Sequence, residues 1–209
     1  MKLYDCHPAP NPRRVRMFIA EKGLNIPTQQ VDFAAREQLT DAYRQMNPLC
    51  DIPVLELDDG SHISQVSGIC RYLEAAFPEP NLYGVDAKEQ GLVAMWDNFA
   101  ANHGMASAAD GLRNFSKGFQ NHAVLGTRPY AQIPQLAERG RQRTEDFFTD
   151  LNNYLAERDY LACNRFTVAD ITAFVTVEFA KRIKLEPRPE QTHLLRWYER
   201  VASRPSAEA

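Results

Sequence analysis

No stretch of this 209-residue chain approaches the roughly 18 consecutive apolar residues that a membrane-spanning helix requires. The opening residues Met1-Lys2-Leu3-Tyr4-Asp5 run straight into a strand-like pattern and hold none of the apolar stretch of a secretory leader. A cytoplasmic protein is therefore the expectation. An excess of basic charge is also missing: 24 lysines and arginines face 27 acidic residues, a formal net charge of −3. That balance excludes the footprint of a nucleic-acid-binding surface. Cysteine is scarce. Cys6, Cys50, Cys70 and Cys163 form no CxxC pair and stand at no metal-ligand spacing with a histidine, so no metal is expected. Separate reduced thiols suit a cytosolic chain, and Cys70 and Cys163 read as buried small apolar residues. Internal repeats and low-complexity segments are absent too.

What is present is enough to build a core, since 44% of residues are hydrophobic. Lys2–Cys6 reads as a strand. Pro8, Pro10 and Pro12 crowd the turn that follows. Val15, Phe18 and Ile19 then stand at helical spacing, ended near Gly23. Thr28–Phe33 reads as a second strand, and residues 35–46 as a polar helix. Val54–Leu57 is a strand, Asp58-Asp59-Gly60 a turn, and Ser61–Ser64 its hairpin partner. A helix carrying Ile69, Tyr72, Leu73 and Ala76 on one face follows. The order βαβ and then αββα, with parallel strands joined by a crossover and a hairpin added, is that of a thioredoxin-like α/β domain. Pro78-Glu79-Pro80 breaks the last helix. The reading is a first domain over residues 1–78, a linker over 79–86 and an all-helical domain over 87–209. In the latter, Gly104 and Gly111 weaken a helical stretch over 87–116. Phe147, Phe148, Leu151, Tyr154 and Leu155 mark a long amphipathic helix. Thr167–Arg182 is apolar on most sides, which implies deep burial. Leu194, Trp197, Tyr198 and Val201 mark a last helix.

Three stretches carry a resemblance. Asn47-Pro48-Leu49-Cys50-Asp51-Ile52-Pro53-Val54-Leu55, Ile63-Ser64-Gln65-Val66-Ser67-Gly68-Ile69-Cys70-Arg71-Tyr72-Leu73 and Phe166-Thr167-Val168-Ala169-Asp170-Ile171 stand in order along the chain. Together they resemble soluble bacterial glutathione transferases. The resemblance implies a cis bond before Pro53, with the backbone of Ile52 pairing with the cysteinyl part of glutathione as a short strand addition. It also implies that the γ-glutamyl end lies at the helix beginning near Gln65 and Val66, where unpaired N–H groups favour a carboxylate. The family's usual residues there are Glu and Ser. Val66 cannot replace the serine hydroxyl, and Ser67 sits about 100° further round the helix. One hydrogen bond lost to a charged group costs roughly 1.5–3 kcal/mol, about ten- to a hundredfold in affinity. Thr167 and Asp170 match a capping box, a structural feature.

Glutathione chemistry needs thiolate. A free thiol of pKa about 8.5 is only a few per cent ionised at neutral pH, and lowering it by two units takes about 2.7 kcal/mol of preferential stabilisation. In many bacterial relatives a serine after the first strand is the donor. Here the turn reads Ala9-Pro10-Asn11-Pro12-Arg13-Arg14-Val15-Arg16, and Ala9 has no hydroxyl. Asn11 is the best remaining donor to the sulfur, with helix capping as its other role. Tyr4 on the first strand and Cys6 at its end are further candidates, Cys6 through a mixed disulfide. Trp96-Asp97-Asn98-Phe99 resembles a family pattern whose asparagine reaches glutathione from the partner subunit, which assigns Asn98. Phe99, Met105 and Phe115 read as core in preference to an acceptor pocket. Arg13, Arg14 and Arg16 read as a solvated helix face, and His7 as a polar neighbour of the turn. The expectation is a homodimeric detoxification-type transferase. It would take glutathione as co-substrate and conjugate it to a small hydrophobic electrophile bound between the domains. A non-catalytic binding protein on the same fold, and thiol–disulfide exchange through Cys6, are the alternatives.

Overall fold

The computed structural model describes residues 1–209. They divide into two units, one of Met1–Pro80 with Val124–Pro129 and Ala209, the other of Asn81–Ala123 with Tyr130–Glu208. The first holds β1 (Lys2–Asp5), α1 (Pro10–Glu21), β2 (Thr28–Gln30), α2 (Asp41–Met46), β3 (Val54–Glu56), β4 (His62–Ser64) and α3 (Val66–Ala76). The sheet order is β2-β1-β3-β4, with β1 parallel to β2 and the other pairs antiparallel. This is the thioredoxin-like arrangement. Pro10 starts α1, where its missing N–H would be unpaired in any case. Val66, Ile69, Cys70 and Leu73 form the buried stripe of α3.

Two elements differ from expectation for local polar reasons. The second strand stops at Gln30 because Asp32 folds the chain back: its carboxylate accepts from the Ala35 N–H at 2.9 Å and its carbonyl from the Glu37 N–H at 3.0 Å. The expected helix over 35–46 is split into a 3-10 turn, Glu37–Leu39, and α2, because Thr40 caps α2 by accepting from the Tyr43 N–H at 3.3 Å.

The second unit is helical: α4 (Ala87–Phe99), α5 (Ala106–Arg113), α6 (Pro134–Tyr154), α7 (Val168–Ala180) and α8 (Thr192–Ala202). A π-helical segment, Ala100–Met105, joins α4 to α5. Every residue from Val168 to Val177 is buried, as the all-round apolar pattern of α7 requires. The capping box is formed: the Thr167 N–H donates to Asp170 Oδ2 at 3.0 Å. Leu82 and Tyr83, in the stretch read as linker, are buried, and the Leu82 carbonyl accepts from the Val168 N–H at 3.1 Å. No helix is long and apolar enough to cross a membrane.

Gly104 and Gly111, read as weak points of a helix, are places of close approach. A Cβ on Gly104 would meet the Phe147 ring at 2.7 Å, and one on Gly140 would meet the Gly111 nitrogen at 2.5 Å and the Ser107 oxygen at 2.6 Å. α5 and α6 therefore pack backbone against backbone. Gly140→Ala is expected to destabilise by about 1–3 kcal/mol through overpacking. Gly91→Ala, on α4 with nothing within 4 Å, is expected to be neutral or to stabilise by up to about 1 kcal/mol. The thermal melt of Gly140→Ala should fall, and that of Gly91→Ala should hold or rise.

Candidate active site

The turn after β1 is fixed by a polar network centred on a buried carboxylate. Asp5, 1% exposed, accepts from Arg16 Nη1 at 2.6 Å and from Gln30 Nε2. Arg16 Nη2 also donates to the His7 carbonyl at 3.0 Å, and the His7 N–H donates to Gln30 Oε1 at 2.9 Å. An ionised carboxylate at this depth needs a cationic, hydrogen-bonding partner, and Arg16 supplies it. The expectation of a solvated face over Arg13, Arg14 and Arg16 is thus corrected. Arg16 is an ion-pair partner of Asp5, and Arg14 is buried.

Asn11 lies second in α1, and Ala9 holds the cap position without a side-chain hydrogen bond. Asn11 therefore does not cap the helix. Its Oδ1 accepts a long 3.4 Å hydrogen bond from Arg14 Nη1. The amide Nδ2 remains as the donor end. The Tyr4 hydroxyl is engaged elsewhere, donating to Glu56 Oε2 on β3 at 2.8 Å. Cys6 is buried in an apolar cluster with Tyr4, Val31, Tyr43, Ile52 and Val54, against which Ala9 packs. That cluster brings the turn and the Ile52-Pro53 loop together.

The Ile52–Pro53 bond is cis. Ahead of it, the buried Asn47 clamps the loop. Its Nδ2 donates to the Asp51 carbonyl at 2.9 Å and to Asp51 Oδ1 at 2.6 Å, and its Oδ1 accepts from the Leu49 N–H at 3.1 Å. The Tyr43 hydroxyl donates to the same Asp51 carbonyl at 2.9 Å. Burial, reinforced by the Asp51 charge, holds that phenol well above its ordinary range. Gln65 precedes α3 with a φ of 70°, a conformation non-glycine residues adopt at a cost. Its side chain leaves the helix uncapped and donates through Nε2 to Asp51 Oδ2. Val66 is the first residue of α3, and its buried side chain leaves the backbone N–H as the polar group at that position. Ser67 is exposed one place further on.

Asn98 is exposed on α4 in the second unit, where its Oδ1 accepts from Asn102 Nδ2 at 3.0 Å. Trp96 packs at a tilt against Tyr154 with ring centroids 3.7 Å apart, and His103 stacks on Phe99 at 4.9 Å. Met105 is buried and Phe99 half-buried, but Phe115 is 81% exposed, so the core reading fails for Phe115. Cys163, expected to be buried, is half-exposed; partial desolvation and the charge of Glu89 push its thiol up, away from reactive thiolate.

Residues 9–76 match the model of the glutathione S-transferase N-terminal domain, and residues 120–205 that of its C-terminal domain. Glutathione S-transferase 2 of Saccharomyces cerevisiae is 31% identical over 212 residues, spanning 99% of this chain and 87% of that one. The chain belongs to the glutathione S-transferase family. A solved glutathione S-transferase domain-containing protein from Marinobacter aquaeolei VT8 superposes with a TM-score of 0.91 at 36% identity, covering 99% of both chains. Gtt2 from Saccharomyces cerevisiae does so at 0.91 and 28% identity, covering 100% of this chain and 99% of that one. Within this glutathione S-transferase chain, Asn11, Ile52, Pro53, Gln65 and Val66 fall inside the N-terminal match, and Asn98 falls between the two matches.

Proposed function

We propose that the chain binds glutathione on the first unit and transfers its thiolate to a small hydrophobic electrophile. The observation that carries this reading is the pairing of the clamped Asn47–Pro53 loop with the uncapped N-terminus of α3. The loop offers backbone edge, and the helix offers unpaired N–H groups and the positive end of its dipole. Glutathione would lie over Ile52 and Pro53, with its glutamyl end at Gln65 and the Val66 N–H. Asn11 Nδ2 would donate to the sulfur and stabilise the thiolate, as a positioned donor does for a developing anion. The nucleophile then attacks the electrophilic carbon, giving a thioether or displacing a leaving group, and the protein contributes positioning and charge stabilisation. Assembly as a cytoplasmic homodimer, with Asn98 of the second copy reaching glutathione, belongs to the same proposal. Exchange through Cys6 is disfavoured, because its thiol is 6% exposed in the apolar cluster.

The test is conjugation of glutathione to an activated aryl halide, followed by absorbance at neutral pH. A rate well above the uncatalysed reaction, saturating in glutathione, is expected. Saturable binding without turnover across a panel of electrophiles would instead favour a non-catalytic binding protein, the reading that Ala9 at the cap position supports.

A further inference from the structure

Arg113 is the last residue of α5 and is half-buried, yet its guanidinium has neither a hydrogen-bond acceptor nor an ion-pair partner. Each other arginine that is not exposed has a partner, as Arg16 has Asp5 and Arg165 has Glu89. The structural task of a cation at a helix C-terminus is to bind the last carbonyls. Here other groups do that. Asn114 Nδ2 donates to the Asp110 carbonyl at 3.1 Å, the Ser116 N–H to that of Leu112 at 2.8 Å, and Gln132 Nε2 to that of Arg113 itself at 2.6 Å. Asp110, three residues back on the same helix, attracts the cation through space without reaching ion-pair distance. Partial loss of water pushes the guanidinium down from its ordinary range, the mark of a charge short of solvent and of partners. The surface beside it is apolar: Phe115, Tyr130 and Ile133 are all exposed. Two contacts pin this surface to the end of α5. The Ile133 N–H donates to Asn114 Oδ1 at 2.9 Å, and Gln132 Nε2 bridges the carbonyls on either side of Phe115, those of Arg113 and Ser116.

We infer that Arg113, Phe115 and Ile133 form a binding site for an apolar carboxylate, with the acid on the guanidinium and the hydrocarbon body over the two apolar side chains. A guanidinium meets a carboxylate through two parallel N–H donors, and such charge-assisted bonds are stronger than those between neutral groups. The cost of removing water from the cation is already met in part by the fold, so the pair gains more than it would on an open surface. The body of the ligand covers apolar surface that is otherwise wet. The negative end of the α5 dipole favours Arg113 and disfavours an anion, so the preference for the acid rests on this one side chain. All three residues lie in the second unit, and the site stands independently of the glutathione reading.

The experiment titrates the parent protein calorimetrically, without glutathione, with 2-naphthoate and with its neutral isostere 2-naphthamide. The parent should bind the acid about ten- to a hundredfold more tightly than the amide. Octanoate and octanamide repeat the comparison with a straight-chain body, and a preference for the acid in either pair supports the site. Arg113→Met keeps the apolar stem and should bind acid and amide alike, or favour the amide. Arg113→Lys should keep part of the preference. Phe115→Ser should weaken both members of a pair by a similar factor and leave their ratio unchanged. Far-UV circular dichroism and a melt check that the variants fold. A parent that binds acid and amide equally, or binds none of the four ligands, overturns the inference without any variant. An Arg113→Met protein that keeps the parent's preference overturns it as well. Each of these failures leaves the glutathione titration untouched, so the two readings fall separately.

Discussion

Asp170→Ala is expected to remove about 4 kcal/mol or more of stability, the largest effect of any single substitution considered. The side chain is 0% exposed and accepts four hydrogen bonds: Leu161 N–H at 3.0 Å, Trp197 Nε1 at 3.0 Å, Thr167 N–H at 3.0 Å and Thr167 Oγ1 at 3.1 Å. One carboxylate thus joins the start of α7, the segment before it and α8. Truncation orphans three buried N–H donors, each worth about 1–3 kcal/mol when left unpaired. The melting temperature should fall by about 10 °C or more for a chain of this size. Trp197 is one of two tryptophans and loses a partner directly, so its fluorescence follows the change. A melt within about 2 °C of the parent would contradict the account.

The same group sets a pH dependence. Burial pushes the Asp170 carboxyl up to about 6 from an ordinary 3.8, against the pull of its four donors. The folded state then binds more protons than the unfolded state between these values. The contribution of this group to stability is therefore greatest below about 4, falls as pH rises through about 6, and is flat above, a change of up to about 3 kcal/mol. Asp170→Asn, which does not titrate, should lack that component when its stability is subtracted from the parent's across the window.

Asn11→Ala should lower the turnover of the aryl halide conjugation by about ten- to a hundredfold while changing glutathione affinity at neutral pH by no more than about fivefold. The effect is differential: a donor aimed at sulfur acts on the thiolate more than on the thiol. A hydrogen bond to a charged group, about 1.5–3 kcal/mol, converts to roughly one to two pKa units of the bound thiol. Ultraviolet thiolate absorbance against pH should show that rise. Arg14 engages Asn11 Oδ1 and so restrains the amide. Arg14→Met should therefore give a smaller effect of the same sign. Unchanged turnover in Asn11→Ala would remove Asn11 from the mechanism.

The sequence was informative wherever a feature depends on neighbours along the chain. The Thr167–Asp170 box, the burial of α7 and the hairpin of β3 and β4 each rest on a local pattern, and each is found. Distant partners left no such trace. Asp5 and Arg16 pair across 11 residues, and Gln65 reaches Asp51 across 14. Asp51 appeared only as one letter of a motif, because its second amide partner, Gln65, lies beyond the β3–β4 hairpin. Three arginines within four residues look like a charged surface until the fold places a buried aspartate beside one of them. Gly104 and Gly111 illustrate the same limit. A glycine in a helix reads as a weakness by propensity, and only the packing of a second helix turns it into a requirement.

The central claim is that glutathione binds at the Ile52-Pro53 loop and the start of α3. Calorimetric titration of the purified protein with glutathione at neutral pH tests it most directly. Saturable binding with a dissociation constant in the micromolar to low-millimolar range is the predicted result. The absence of heat at several millimolar glutathione, repeated at a second temperature to expose a silent enthalpy, would contradict it.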